Sequence, residues 1–173
     1  MWQYEKRLQY PVKIKNPNPK YAQIIVSQLG GPDGEIGASL RYLTQRIAMP
    51  FPKITGILTD VGTEELGHFE MISAILYQLT RNLTPEEIVK SGFDTYFVDH
   101  TTGIYPVAAS GYPYTAAQFQ SKGDVLADLH EDLAADAAII KEQPLRKKSR
   151  NPLKYKAFSH LSKTLKNCIP AII

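Results

Sequence analysis

The longest regular pattern of apolar positions in the chain runs from Ile54 to Leu79, where apolar residues recur every three or four positions. This spacing places them on one face of an α-helix, so the segment is predicted to be a long amphipathic helix. The stripe is interrupted in its middle, because Glu65 and His68 occupy positions that call for core residues. Its apolar members are Ile54, Ile57, Leu58, Val61, Phe69, Ile72, Ile75, Leu76 and Leu79.

Shorter helices are predicted on both sides of this one, with proline, glycine and acidic residues marking their ends. All of the periodic segments are helical and no internal repeat is visible, so the predicted fold class is mostly α. The shorter helices cover residues 20–29, Pro32 to Ile47, Thr84 to Gly92, and a stretch from near Lys122 through Leu133. The apolar stripe of the second of these is Ile36, Leu40, Leu43 and Ile47.

Two segments have no helical period. Residues 1–20 combine aromatic residues with repeated prolines, which favours an extended arm that lies either on the body or on a neighbouring subunit. Residues 93–120 form a long stretch of Gly, Pro, Thr and aromatic residues, and such loops are usually functional or packed against a partner. Within it, Asp99 and His100 either hydrogen-bond locally or line a substrate channel.

The composition limits the class of protein. A length of 173 residues suits one ordinary domain, and 43% hydrophobic with 21% charged residues excludes a fully disordered chain. No stretch approaches the roughly 20 apolar residues of a membrane span, and no secretory signal is seen. Cys168 is the only cysteine, which excludes an internal disulfide framework.

The charges are distributed unevenly along the chain. Residues 1–136 carry 11 basic and 16 acidic residues, a balance of −5, whereas residues 137–173 carry nine basic residues and one acid, a balance of +8. The apparent pI of 8.9 therefore comes from the last fifth of the chain, and the body is not predicted to bind nucleic acid. The basic segment is interpreted as solvated rather than as a binding site for an anionic surface.

The two polar residues that interrupt the apolar stripe of the long helix have the spacing of a metal site. Glu65 and His68 form an E-x-x-H motif, which puts a carboxylate and an imidazole one turn apart on the same face. Burying an ionised carboxylate is costly unless it is paired or bound to a metal. The alternative is a core histidine that hydrogen-bonds to its neighbouring glutamate without any ion.

Other helices offer further inward acids. Glu35 starts the preceding helix and Tyr42 lies seven residues later, hence on the same face. Carboxylates and imidazole suit manganese or iron, and helical bundles with such ligands hold dinuclear centres. The later helix offers Asp124, Asp128, Glu131, Asp132 and Asp136, with His130 among them, and spacing alone does not choose between these acids.

Four segments identify a family resemblance. GGPDGEIGASLRYLTQR, DVGTEELGHFEM, VDHTTGIYP and SGYPYTAAQFQSKGDVLADLHEDLAAD resemble, in this order, the non-haem manganese catalases, and within them the small spore-coat type. The similarity covers about residues 1–136. It implies a ferritin-like four-helix bundle with two manganese ions that disproportionate hydrogen peroxide to oxygen and water. It also implies a homo-oligomer, a hexamer in this family.

The same resemblance implies a role for individual residues. Glu35 matches a terminal carboxylate, Glu65 the carboxylate that bridges the two metals, and His68 the imidazole on the first metal. Tyr42 matches a tyrosine near the cluster. The acid of the second metal falls at Asp136, where the family has a glutamate, so the side chain here is one methylene shorter.

The chain departs from the family after residue 136. The family continues its third helix and adds a fourth with a second E-x-x-H, whereas Pro144 here interrupts the helix. His160 is the only histidine in residues 137–173, and Ala157 stands where the motif requires a glutamate. The expectation is an extended arm over 1–20, a catalase-type domain over 21–136 with one nearly complete metal site, and a divergent segment with an incomplete or aberrant fourth helix.

Three functions remain open, because the resemblance implies a catalase bundle and the ligand set does not exclude iron. The first is a manganese catalase of the spore-coat type, acting on hydrogen peroxide. The second is a weak or inactive structural coat component with the same bundle, and the third is a ferritin-like di-iron protein. The expected location is the mother-cell cytoplasm and then the spore coat. The expected partners are other coat proteins, with neither membrane nor nucleic acid.

Overall fold

The computed structural model describes residues 7–8, 10–31, 34–94, 97–98, 103–104, 115, 117 and 120–141. Of residues 97–98, 103–104 and 136–141 it describes the backbone alone. Outside the described part lie Asp99, His100, Pro144, Ala157, His160, the side chain of Asp136 and the predicted fourth helix of the bundle.

The described part of the chain is mostly helical, as predicted. Two short strands, β1 (Phe97–Val98) and β2 (Gly103–Ile104), pair antiparallel with Phe97 opposite Ile104. No described helix is both long enough and apolar enough to cross a membrane. The helices are α1 (Pro19–Gly30), α2 (Glu35–Ala48), α3 (Pro52–Thr80), α4 (Pro85–Ser91) and α5 (Val125–Lys141).

The predicted long helix is confirmed as α3, the element on which α1 and α2 pack. Pro52 opens it, where the missing N–H of proline costs no intrahelical hydrogen bond. The Oγ atom of Ser39 on α2 donates a 2.6 Å hydrogen bond to the carbonyl of Gly62, and Arg46 reaches Thr59 on the preceding turn of α3. Because a later residue of α2 contacts an earlier residue of α3, the two helices run antiparallel.

Gly62 lies where α2 approaches α3 closely. A Cβ atom at Gly62 would lie 3.0 Å from the Leu43 side chain and 3.1 Å from Cβ of Tyr42. We expect Gly62→Val to lower the free energy of unfolding by about 1–3 kcal/mol, as overpacking does in other cores, measured by urea denaturation. Gly56→Val is the control, because no described atom beyond its own helix backbone lies within 4 Å of a Cβ there. An equal loss of stability at both positions would contradict the close approach at Gly62.

Two hydrophobic clusters fill the core, one along each half of α3. Between them, α3 buries Gly62, Glu65, His68 and Met71, so its polar residues lie at the junction of the clusters. The cluster with α1 and α4 contains Ala22, Val26, Ile72, Leu76, Leu79, Ile88 and Phe93. The cluster with α2 and α5 contains Ala38, Tyr42, Met49, Ile54, Leu58, Val61 and Leu129.

The segment before α1 lies on the body of the molecule. The side-chain amide of Gln78 accepts a 2.7 Å hydrogen bond from the N–H of Ile14 and donates a 2.9 Å bond to the carbonyl of Val12. The N–H of Asn18 donates to the carbonyl of Leu79 at 2.7 Å. The described residues of the predicted arm therefore pack along the end of α3.

The prediction for α2 is wrong in two respects. The helix begins at Glu35, three residues after Pro32, with Gly34 as its N-cap. Its apolar stripe is not the buried face, since Leu40 is 37% exposed and Ile47 82%. Hydrophobic periodicity registers only apolar residues, whereas the inward face of α2 is largely polar. The residues it buries are Glu35, Gly37, Ala38, Ser39, Arg41, Tyr42 and Gln45.

The last described helix, α5, begins at Val125 rather than near Lys122. The reason is a cap, because the carboxylate of Asp124 accepts a 2.8 Å hydrogen bond from the N–H of Ala127. A side chain that satisfies a free N–H of the first turn fixes the start of a helix. Leu129 then anchors α5 in the cluster formed with α2 and α3.

Candidate metal centre

The first residue of α2 and the middle of α3 bring three ionisable side chains together. Because α2 and α3 run antiparallel, Glu35 at the start of α2 faces the turn of α3 that carries Glu65 and His68. Their side chains point into the core: the exposed fractions are 2% for Glu35, 7% for Glu65 and 3% for His68. The positions predicted from the interrupted stripe are therefore buried positions.

The ligand atoms of these three residues converge. The Nδ1 atom of His68 lies 2.6 Å from Oε2 of Glu65 and 4.0 Å from Oε2 of Glu35. One ligand atom from each residue lies within 4.8 Å of the other two, and the described side chains contain no other group of three possible ligands this close. The three residues thus form one compact cluster, which we call the buried triad.

Burial changes the proton affinities in the buried triad. Loss of solvent, together with the charge of Glu35, raises the pKa of Glu65 to about 8, although the hydrogen bond from His68 opposes this. Burial alone would lower the pKa of His68, but its hydrogen bond to Glu65 and the charges of Glu65, Glu35 and Glu64 raise it above 6.5. Without an ion, the Glu65–His68 pair therefore retains a proton at neutral pH.

The stability of the metal-free protein is expected to fall as the pH rises from about 5 to 8. Glu65 has a folded-state pKa near 8 against an ordinary value of 4.5, so the folded protein binds more protons across this interval. The loss approaches about 1.4 kcal/mol per pH unit while one proton is held by the folded form alone. Urea denaturation at pH 5, 6.5 and 8 measures it. Glu65→Gln should flatten the dependence, and an unchanged slope in that variant would contradict the assignment.

The donor set fits a divalent transition metal. Two carboxylates and an imidazole suit manganese or iron, and their charges compensate each other poorly in a dry interior without a cation. A cation would replace the proton shared by Glu65 and His68, which is how metal binding couples to deprotonation. The buried Nε2 atom of His68 has no hydrogen-bond partner among the described residues. This nitrogen is therefore available for a hydrogen bond to a group outside the buried triad.

Tyr42 was predicted to share a face with Glu35. Both are on the buried face of α2, and Tyr42 is fully buried beside Gly62, one turn before the buried triad on α3. Its packing role is therefore visible in the structure, while a role near the cluster stays a prediction.

Three of the candidate acids on α5, at positions 128, 132 and 136, differ in what the structure shows of them. Asp128 is 2% exposed and accepts hydrogen bonds from the N–H groups of Lys122 (2.7 Å) and Gly123 (3.1 Å), which secures the turn before α5. Asp132 is fully buried and accepts a 2.9 Å bond from Gln45. Neither is part of the buried triad. The backbone of residue 136 belongs to α5, while its side chain lies outside the part of the chain that the structure describes.

Gln45 is one of several buried polar residues that the sequence analysis did not single out. It is 1% exposed, and its amide nitrogen also donates to the carbonyl of Gln120 at 2.9 Å, so it ties α2 to α5 and to the segment before α5. The signal was present in the sequence. Glu35, Tyr42 and Gln45 lie at helical spacings of seven and three residues, which form a polar stripe on α2.

Comparisons with known proteins identify the family of the chain. The family described as manganese containing catalase matches residues 1–145. Protein CotJC of Bacillus subtilis is 48% identical over 136 residues, covering 79% of this chain and 71% of that protein. A probable manganese catalase of Clostridium acetobutylicum is 34% identical over 140 residues, covering 79% of this chain.

A solved structure is similar over almost the whole chain. The crystal structure of KatB, a manganese catalase from Anabaena PCC7120, matches with a TM-score of 0.80 at 27% identity, covering 97% of this chain and 80% of that one. The chain spans 61% of the Clostridium acetobutylicum protein and 55% of the manganese catalase of Bacillus subtilis. The family implies manganese binding. The chain belongs to the family of manganese-containing catalases and has their ferritin-like helical bundle fold.

Proposed function

We propose that the chain is a non-haem manganese catalase of the spore-coat type, which converts two molecules of hydrogen peroxide into one of oxygen and two of water. The observation that carries the proposal is the buried triad. Two carboxylates and an imidazole within 4.8 Å, all at most 7% exposed, form a centre suited to a divalent metal. Family membership and the resemblance to catalases support the choice of manganese.

We assign Glu35, Glu65 and His68 as the residues that would hold the first manganese ion, and the family resemblance implies that Glu65 would also be a ligand of the second. The proposed ligands of the second ion are Asp136 and, with a departure from the family motif, His160. When bound, manganese supplies the redox chemistry by which one peroxide is oxidised to oxygen and another is reduced to water. The catalytic domain is proposed to span residues 21–136, followed by the basic segment 137–173.

The reaction also needs proton transfers, which protein carboxylates and water would carry. Hydrogen peroxide gives up two protons when it becomes oxygen, and a second peroxide takes up two when it becomes water. Oε2 of Glu65 and Nδ1 of His68, 2.6 Å apart, are atoms that the metal would take over, so metal binding would exchange for the cation the proton that this pair retains in the metal-free protein, where the pKa of Glu65 is raised to about 8. The surrounding apolar clusters exclude bulk water from this exchange.

The proposed setting follows from the resemblance to the spore-coat type. It comprises the mother-cell cytoplasm and then the spore coat, where further copies of this chain in a hexamer and other coat proteins are the proposed partners.

The test uses the full chain, loaded with Mn²⁺ or with Fe²⁺ and freed of excess metal. Manganese bound in stoichiometric amount together with oxygen release from hydrogen peroxide, recorded with an oxygen electrode, is the result we expect. Iron uptake with ferrous oxidation, and no oxygen release with manganese, would favour the di-iron function instead. A folded protein that retains neither metal would overturn the catalase proposal in favour of a structural coat component.

A further inference from the structure

The two ring nitrogens of His68 face different groups. Nδ1 points toward the carboxylates of Glu65 and Glu35, at 2.6 Å and 4.0 Å. Nε2, on the opposite side of the ring, lies 3.7 Å from Oε1 of Glu64, and no described residue forms a hydrogen bond with it. The side chain of Glu64 is 39% exposed, so it reaches from the surface to a buried nitrogen.

Helix geometry produces this arrangement from two adjacent glutamates. Residues three and four positions before His68 lie on the same face of α3, so Glu65 and Glu64 reach the imidazole from its two edges. Glu65 is buried and meets Nδ1, whereas Glu64 is half-exposed and approaches Nε2. The two carboxylates of the sequence Glu64-Glu65 therefore have separate partners on one ring.

A metal-binding imidazole needs a lone pair on one nitrogen and carries its proton on the other. In metal sites the second N–H almost always donates to a carboxylate, carbonyl or water, which fixes the tautomer and the ring orientation. Because Nδ1 faces the other two donors of the buried triad, Nε2 is the nitrogen that must carry the proton. Glu64 has the one carboxylate within 4 Å of Nε2 in the described part of the chain.

We propose that Glu64 is a positioning residue whose carboxylate accepts a hydrogen bond from Nε2–H of His68 and so aims Nδ1 at the metal. This inference rests on the proposed function. The present separation is 3.7 Å, so the proposal requires the half-exposed Glu64 side chain to rotate closer to Nε2, to within hydrogen-bond distance. Glu64 itself neither contacts peroxide nor binds the ion.

The test measures Mn²⁺ affinity in the full chain by isothermal titration calorimetry. We expect Glu64→Ala to weaken Mn²⁺ binding about 10- to 100-fold, the usual effect of removing an outer partner of a ligand. Glu64→Gln should lose less, because its amide oxygen still accepts the hydrogen bond. Asp60→Ala removes an exposed carboxylate one turn earlier on α3 and should leave the affinity within about twofold.

Thermal unfolding of the metal-free variants separates positioning from a structural role. We expect the Tm of metal-free Glu64→Ala to match that of the wild type, because the replaced side chain is half-exposed. Wild-type affinity in Glu64→Ala, or equal losses in Glu64→Ala and Glu64→Gln, would overturn the positioning role while leaving the catalase proposal intact. If metal-free Glu64→Ala had a lower Tm than the wild type, and this loss of stability explained the weaker Mn²⁺ binding, the positioning role would be overturned as well. Failure of the wild type to bind Mn²⁺ would overturn the catalase proposal and this inference together.

Discussion

Replacing Glu65 with glutamine is expected to abolish manganese binding and the release of oxygen from hydrogen peroxide. The carboxylate of Glu65 lies at the centre of the buried triad, 2.6 Å from His68, and a neutral amide is a poor ligand for a divalent cation. We expect at least a thousandfold loss of Mn²⁺ affinity, roughly 4 kcal/mol or more, by calorimetry. Oxygen release should fall to the level of free manganese.

The same substitution should stabilise the metal-free protein at pH 8. Wild-type Glu65 must either keep its proton or bury a charge at that pH, since its pKa is raised to about 8, whereas glutamine does neither. Glu65→Gln is therefore expected to lose manganese binding and oxygen release while the metal-free protein becomes more stable at pH 8. Glu70→Gln is the control, because it makes the same chemical change five residues further along α3. Retained manganese and oxygen release in Glu65→Gln would show that the site is assigned to the wrong residue.

Replacing Asp132 with alanine is expected to cause a large loss of stability at a position outside the buried triad. Asp132 is fully buried and accepts a 2.9 Å hydrogen bond from Gln45, which joins α5 to α2. Its removal deprives a buried amide of an acceptor and leaves a cavity, so the free energy of unfolding should fall by about 2–4 kcal/mol in urea denaturation.

The matched control for Asp132→Ala is His130→Ala, an exposed position on the same helix, which should change stability by less than about 0.5 kcal/mol. Asp132→Asn should recover part of the loss, because its amide oxygen still accepts from Gln45. A loss no larger than that of His130→Ala would mean that the hydrogen bond to Gln45 does not hold α5 in place.

The long helix and the Glu65–His68 pair could be predicted from the sequence because both are local patterns. Glu65 and His68 lie one turn apart within one helix, and their places in an apolar stripe made burial the expected outcome. The position of Glu35 in the site is not a local pattern. Its distance from His68 depends on how α2 crosses α3, which hydrophobic periodicity does not encode. Its helix position made Glu35 only a candidate inward acid, and the family resemblance implied its role as a ligand.

The inward face of α2 could not be identified by hydrophobic periodicity alone. The stripe through Leu40 and Ile47 satisfied the helical period but faces outward, while Gln45 and its neighbours are buried because they find partners on other helices. Spacing likewise could not separate Asp128 from Asp132. Their different roles depend on the turn before α5 and on Gln45, both of which are tertiary contacts.

The most direct test of the central claim is an anomalous diffraction measurement at the manganese edge on crystals of the full chain grown with Mn²⁺. We expect an anomalous peak within bonding distance of carboxylate oxygens of Glu35 and Glu65 and of Nδ1 of His68. Manganese found only elsewhere on the molecule, with Glu65 and His68 still hydrogen-bonded to each other, would contradict it.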